Sequence, residues 1–285
     1  MMRLGMANIL SSGMLNKIIS LTKSSLRKCS KPEIRAYWYL LNSIGKLPRF
    51  HPGQIDIWGW KLNFVDAASL ISAFNYIVVK RWNDFETDNP SPFIIDCGAN
   101  IGISVLHFKR LFPNAIIIAF EPDHKICEIL KNNLYRNNVK GVHVVEAALW
   151  DTEGEVHFLP DGADAGRIIR RGNNNNIPKV RSTCLSKFID KPVDLLKMDI
   201  EGAEAIVFKE CDDKLDNVSR IVLEYHVISK KKSDLAQIIS ILDKHEFVYY
   251  LNTDSDWIDF SNPPRAYEDW LNQYYMIYAQ RNWKI

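Results

Sequence analysis

Phe93-Ile94-Ile95-Asp96-Cys97-Gly98-Ala99-Asn100-Ile101-Gly102-Ile103-Ser104 opens as a short apolar run, passes two glycines and feeds the amphipathic stretch Ser104 to Phe112. A strand that turns through a glycine-bearing loop into a helix is how open α/β sheets begin a ligand site. Gly98 and Gly102 lack Cβ atoms, so the chain can turn sharply there and lie against a ligand. The wording of the loop narrows the ligand. A dinucleotide fingerprint needs Gly-x-Gly-x-x-Gly to admit a pyrophosphate, whereas Asn100 stands here in place of a glycine and the Asp96 carboxylate precedes the first glycine by two residues. That carboxylate repels a diphosphate and attracts an ammonium group, which speaks against a nicotinamide-dependent oxidoreductase.

Downstream, apolar runs alternate with helical patterns: Phe93 to Asp96, Ile116 to Glu121, Val142 to Ala147, Val193 to Asp199, Ile221 to His226, Phe247 to Leu251 and Tyr274 to Ala279. Strands separated by helix-length segments such as Ser104 to Phe112 and Asp123 to Asn138 predict an α/β, doubly wound, mostly parallel seven-stranded sheet. The last two runs are joined by a polar connection holding Pro263, Pro264 and a short helical stretch at Ala266 to Asn272. The final strand is therefore expected antiparallel, at the sheet edge. Upstream, Ile55, Ile57, Leu62 and Phe64 suggest a small β element around Gly59, and Ala67 to Val78 a helix. Together they form an N-terminal annex. Asp161 to Val180, with its glycines and four consecutive asparagines, reads as a mobile loop beside the site. Residues 1–50 read as a basic, mainly helical segment and 51–285 as one domain with its core at 92–285.

With 285 residues, 47% of them apolar and 25% charged, the chain can bury a full core. Its formal net charge of +2 implies no polyanionic partner, so nucleic acid is not expected. Charge placement says more: residues 1–32 carry Arg3, Lys17, Lys23, Arg27, Lys28 and Lys31 among apolar residues and no acid. Such a segment suits peripheral contact with an anionic membrane face. No stretch approaches the roughly 18 uninterrupted apolar residues of a membrane span, and no cleavable leader is evident. A cytoplasmic location follows, at most peripheral to the inner membrane face. Cys29, Cys97, Cys127, Cys184 and Cys211 are odd in number and widely spaced, the pattern of reduced thiols and not of a disulfide framework or a zinc site.

Four groups of residues carry candidate chemistry. Glu121 ends the second strand just before Pro122, which presents its carboxylate at the carboxyl edge of the sheet, where an acid can accept both hydroxyls of a ribose. After the third strand, Glu146 and Ala147 are candidates for contact with an adenine ring. Lys197, Asp199 and Glu201 alternate with apolar neighbours on the fourth strand and share one side, and Glu204 follows Gly202 at a helix start. On the fifth strand, Glu224 and His226 share a face by the same period of two. His226 is the candidate general base, since its unperturbed pKa of about 6.5 permits proton acceptance near neutrality. The other histidines lack acidic company in the sequence. The acids could hold a divalent cation, but two or three carboxylates name no metal.

Ile95 to Gly102, Phe120-Glu121-Pro122, Lys197-Met198-Asp199-Ile200-Glu201-Gly202-Ala203-Glu204 and Leu223-Glu224-Tyr225-His226 resemble the FkbM-type family of class I methyltransferases, over about residues 55 to 280. The Lys-x-Asp-x-Glu-Gly-Ala-Glu stretch is the specific part. The resemblance implies S-adenosylmethionine as methyl donor, an O-methylated product and, among the family's substrates, polyketides and sugars of bacterial surface polysaccharides. It places Asp96 with the Gly98, Asn100 and Gly102 loop on the methionine part and Glu121 on the ribose. His226, Asp199 and Glu201 become the catalytic candidates, and Lys197, Glu204 and Glu224 the residues that orient a sugar or glycan acceptor. A different class of function remains open: a methyltransferase-like domain that only binds cofactor or glycan for biosynthetic partners. Metal dependence and oligomeric state are not readable.

Overall fold

A computed structural model describes residues 31–169, 177–228, 234–252 and 270–281. The segments 1–30, 229–233 and 253–269 lie outside the described residues, and with them most of the basic N-terminal stretch, the lysine run at 230–232 and the Pro263-Pro264 connection. The described chain runs through α1 (Pro32–Ile44), β1 (Gly53–Ile57), β2 (Trp60–Phe64) and α2 (Ala67–Ala73), which continues as a π-helical turn (Phe74–Val79). It then passes β3 (Phe93–Cys97), α3 (Ile103–Leu111), β4 (Ile116–Phe120), α4 (His124–Arg136), β5 (Val142–Val145) and β6 (Ala148–Leu149). β7 (Gly154–Leu159), β8 (Arg167–Ile168), β9 (Lys179–Thr183) and β10 (Leu195–Met198) follow. α5 (Glu204–Glu210), β11 (Arg220–Ile228), α6 (Leu235–Lys244), β12 (Val248–Asn252) and β13 (Trp270–Gln280) complete it.

β12, β13, β11, β10, β3, β4 and β5 form the seven-stranded sheet in that order. The five strands from β11 to β5 are parallel, and β13 is antiparallel to both neighbours. All five residues of β3 are buried, as a strand covered on both faces must be. Successive side chains alternate between two cores. Ile95 and Cys97 join one with α5 and α6, while Ile94 joins the other with α3, α4 and the annex. Leu195, Val222 and Met276 belong to that second core too. By period two, Asp96, Lys197, Glu224, His226 and Tyr274 therefore stand on the annex side of the sheet.

The expected annex is present: β1 and β2 pair as a hairpin, and α1 buries Leu40 and Ile44 in the core shared with it. Asp123 caps α4 by accepting from Lys125 N at 2.9 Å and Ile126 N at 3.2 Å. Three expectations need correction. The last strand is antiparallel but not at the edge, since β13 pairs β11 on one side and β12 on the other. Trp270 to Asn272 begin β13 and are not helical. The Asp161 to Val180 stretch is not all loop, because β8 pairs with β7 and Lys179 and Val180 start β9, in a small sheet ordered β6, β9, β7, β8.

Candidate active site

A cavity of about 840 Å³ lies between the annex and the carboxyl ends of β3, β4, β10 and β11, toward the upper end of the roughly 300–1,000 Å³ of ligand clefts. The glycine loop forms its floor. Gly98 sits at φ +85°, and a Cβ there would stand 1.8 Å from Asp199 O. Gly102 sits at φ +94°, with its missing Cβ 2.6 Å from Leu130 Cδ1. Only a residue without a side chain fits either turn comfortably. The loop is stitched to the next strand end: Gly98 N and Ala99 N donate to Phe120 O at 3.2 and 2.8 Å. Asn100 N donates to Glu121 Oε2 at 3.0 Å, and Asp123 N to Glu121 Oε1 at 2.9 Å. Glu121 is 7% exposed and lines the cavity; burial pushes its carboxyl pKa up to about 8, against the two backbone donors. Each of its oxygens keeps a lone pair for a hydroxyl.

Asp96 does not face the cavity. It is fully buried, hydrogen-bonded by Ser104 Oγ and 3.2 Å from Lys197 Nζ, its partner in the register of β3 and β10. Burial raises its pKa, with Lys197 and Ser104 opposing. Lys197 in turn donates to Gly98 O at 2.6 Å and lies 3.7 Å from Asp199 Oδ2. Burial works to lower the lysine pKa, but the two aspartates outweigh it and hold it above its ordinary value. The buried pair thus braces the glycine loop from beneath, and Asp96 as a direct partner of a ligand ammonium is corrected to a support for that loop.

Strand β10 stops at Met198, and the chain turns left-handed through Glu201 (φ +56°) and Gly202 (φ +93°). Glu204, 1% exposed, holds the turn: its Oε1 accepts from Gly202 N at 2.9 Å and Ile200 N at 3.3 Å, and from His226 Nδ1 at 2.9 Å. It lies behind the cavity wall and positions His226. The other imidazole nitrogen, Nε2, is 3.4 Å from Glu201 Oε2 and 3.6 Å from Glu224 Oε1. Asp199, Glu201, Glu224 and His226 all line the cavity, so the two strand ends do converge. Burial acts to lower the His226 pKa, but attraction by Glu201 and Glu204 overrides it and holds the imidazole well above its ordinary value. Burial, with repulsion from Asp199, pushes Glu224 up to about 8, and burial likewise drives Glu201 well up despite His226. His226 thus does not stand alone as the sequence pictured it but shares a cluster with Glu201, Glu204 and Glu224. One ligand atom each from Asp199, Glu224 and His226 lie within 4.8 Å of one another, a donor set compatible with a divalent cation.

Ala147 lines the cavity, but Glu146 stands outside it. His124 Nδ1 and Lys131 Nζ hold its carboxylate at 2.6 and 2.7 Å, and these two hydrogen bonds lower its pKa to about 2. Two further histidines do have acidic company: His107 meets Asp84 at 2.6 Å, and His245 sits between Asp212 and Asp216 at 2.7 and 2.9 Å. None of these pairs lines the cavity. The sequence reading missed one whole wall, formed by Ser69, Tyr76, Trp82 and Asn83 of the annex with Tyr274 of β13. It also missed Ala163 above the loop, whose carbonyl accepts from Asn100 Nδ2 at 3.0 Å. Eight acidic and three basic side chains line the cavity. The described cysteines Cys97, Cys127, Cys184 and Cys211 are free thiols.

A parallel sheet reversed only at β13, with a glycine loop after its central strand and an acid after the next, defines the Rossmann-like class I methyltransferase architecture. Residues 96–249 match the methyltransferase FkbM domain, and the chain belongs to this family of S-adenosylmethionine-dependent methyltransferases. It is similar to Methyltransferase 1 of Beauveria bassiana, 28% identical over 216 residues that cover 67% of this chain and 81% of that protein. It is also similar to the 2-O-methyltransferase NoeI of Sinorhizobium fredii, 24% identical over 185 residues, 56% of this chain and 75% of that one. Among solved structures, an FkbM methyltransferase from Methylobacillus flagellatus aligns over 86% of this chain and 58% of that chain, with a TM-score of 0.46 and 15% identity. The site's residues fit the family's cofactor: a cradle that a Cβ would fill at Gly98, a carboxylate beside it at Glu121, and an acidic lining suited to a sulfonium cation. Among the described residues no helix is long and apolar enough to cross a membrane.

Proposed function

We propose that this enzyme transfers a methyl group to a hydroxyl of a sugar or glycan, in the assembly of a surface polysaccharide or a related glycoside. The observation that carries the reading is the meeting of Asp199, Glu201, Glu224 and His226 in the cavity that the glycine loop floors. Such a group binds and deprotonates hydroxyls. The name of NoeI, a 2-O-methyltransferase, supports O-transfer.

When bound, S-adenosylmethionine supplies an electrophilic methyl group on a positively charged sulfur. The backbone of Gly98, Asn100 and Gly102 would hold its methionine part, Glu121 would accept from the ribose hydroxyls, and Ala147 would leave room for the adenine edge. Asp199 and Glu224 accept from acceptor hydroxyls and align one oxygen with the methyl carbon. The oxygen thus aligned would accept the methyl group, the donor's sulfur keeping the electron pair of the broken carbon–sulfur bond. The hydroxyl proton passes to Glu224 in its ionised form, while Glu201 and Glu204 keep the His226 imidazole oriented beside it. Alignment contributes the larger share, several kcal/mol, and the proton acceptor about 10² to 10⁴ in rate. A divalent cation at Asp199, Glu224 and His226 is an optional addition, read out by activity after chelation and on titration with Mg²⁺.

Incubation with methyl-labelled donor and a panel of simple glycosides, nucleotide sugars, lipid-linked oligosaccharides and polyketides tests the reading. Label in a sugar hydroxyl supports it, label confined to polyketides removes it, and donor binding without transfer to any member assigns the chain a binding role instead. The basic stretch 1–32 extends the proposal to an acceptor held at an anionic membrane face; co-sedimentation with anionic vesicles that is unchanged on deleting 1–32 removes that extension.

A further inference from the structure

The wall opposite the carboxylate cluster is built largely from residues outside the matched span of 96–249. Where α2 loosens into its π-helical turn, Lys80 N bonds Asn75 O at 2.8 Å, and Tyr76 is delivered to the cavity. Single π-turns recur at functional sites because they re-aim side chains without ending a helix. Trp82 follows, with its ring centroid 4.3 Å from Tyr76 and 6.4 Å from Tyr274, and Tyr274 is 6.4 Å from His226. An unbroken row of half-buried rings thus leads from the annex to the His226 cluster. Beside it, Asn83 is 5% exposed and lines the cavity, which places a polar amide next to the ring row. An amide that lines a cavity can both donate to and accept from a ligand's hydroxyls.

Resting on the sugar reading above, we infer that Tyr76, Trp82, Asn83 and Tyr274 form the acceptor subsite, and that it takes a neutral pyranose-type ring. A pyranose has an apolar face of C–H groups and an edge of hydroxyls. Trp82 and Tyr274 cover the face, the Asn83 amide and Glu224 read the edge, and the ring row delivers one hydroxyl to His226. The annex then determines which sugar is methylated, while the matched core holds the cofactor. The glycine loop and Glu121 are held by other residues: Asn100 bonds Glu121 and Ala163, and Lys197 bonds Gly98.

The test uses the full chain saturated with S-adenosylhomocysteine and methyl glycosides of glucose, galactose, mannose and fucose as probes, read by saturation-transfer NMR, with calorimetry for the nucleoside. Wild type is expected to bind at least one glycoside. Trp82→Ala is expected to weaken it about tenfold or more, in keeping with a central aromatic anchor, and Trp82→Phe to retain most of it. Asn83→Ala should weaken glycosides according to the orientation of one hydroxyl, leaving others unchanged. S-Adenosylhomocysteine affinity in all three variants should stay within about twofold of wild type, which also reports an intact fold. Glycoside binding indifferent to Trp82→Ala overturns the subsite while the sugar reading stands. Equal weakening of glycoside and nucleoside overturns it as well, since the wall would then belong to the cofactor. Trp82-dependent binding of a polyketide phenol with none of any glycoside overturns the sugar class in both proposals.

Discussion

Gly98 is the position where the sequence has least freedom. A methyl group there would meet the Asp199 carbonyl at 1.8 Å, and that backbone atom belongs to the turn that carries Glu201 and Gly202. Gly98→Ala is therefore expected to displace both loops at once, abolishing cofactor binding by calorimetry and lowering the melting temperature by several degrees, as a cost of about 1–3 kcal/mol for strain at a special backbone position implies. Glu121→Gln keeps one acceptor oxygen but puts an amide donor in place of the other; nucleoside affinity should fall by about tenfold, the loss of one hydrogen bond. At this scale the sequence was informative where a residue's place on a strand end decides its exposure, as for Glu121, Asp199, Glu224 and His226. It misled where register decides. Asp96 stands opposite Lys197 across β3 and β10, and a pairing between residues about a hundred positions apart cannot be seen in either strand alone. Glu146 misled for a related reason, since its fate was set by His124 and Lys131 on α4.

Strand order is the feature of the elements that the sequence leaves open. Periodicity placed all seven strands, because apolar runs between helix-length segments are local signals. The antiparallel entry of β13 was legible from its connection, whereas its seat between β11 and β12 depends on which faces find partners. Ile277 is fully buried between Leu223 and Leu251 in that seat, so Ile277→Ala should lower unfolding free energy by about 2–5 kcal/mol, the range for large-to-small changes in a core. Urea denaturation with an unchanged slope would report it; a change under 0.5 kcal/mol, the size of an ordinary surface substitution, would place β13 at the edge after all. The π-helical turn at Phe74–Val79 was invisible for another reason: its residues suit an α-helix equally well, and only packing of Phe74 and Val78 in the core fixes how the rest are aimed.

Across the whole molecule, the acids of the cavity couple proton binding to folding and to the ligand. Glu121 and Glu224 have folded pKa values pushed up to about 8, so the native state holds protons that the unfolded chain has released at lower pH. Their contribution to stability is complete below about pH 4.3, the unfolded carboxyl value, and is lost as pH rises through about 8. The urea midpoint should therefore fall between pH 6 and 9, and fall less in Glu121→Gln. Over the same interval the cavity gains negative charge, so the preference for the sulfonium S-adenosylmethionine over its neutral demethylated product should increase with pH in calorimetry. A preference that stays flat from pH 6 to 9 would show that these carboxyls do not face the sulfur.

The imbalance of eight acidic against three basic lining groups bears on how a sugar-bearing acceptor would be admitted. On the sugar reading proposed above, a phosphate-bearing carrier would meet growing repulsion as Glu121 and Glu224 ionise through about pH 8, so nucleotide sugars would be poor candidates for full immersion. On the same reading, a lipid-diphosphate glycan would avoid this, its outermost residue dipping into the chamber while the anionic anchor stays outside, and the enzyme would then cap the growing end of a chain.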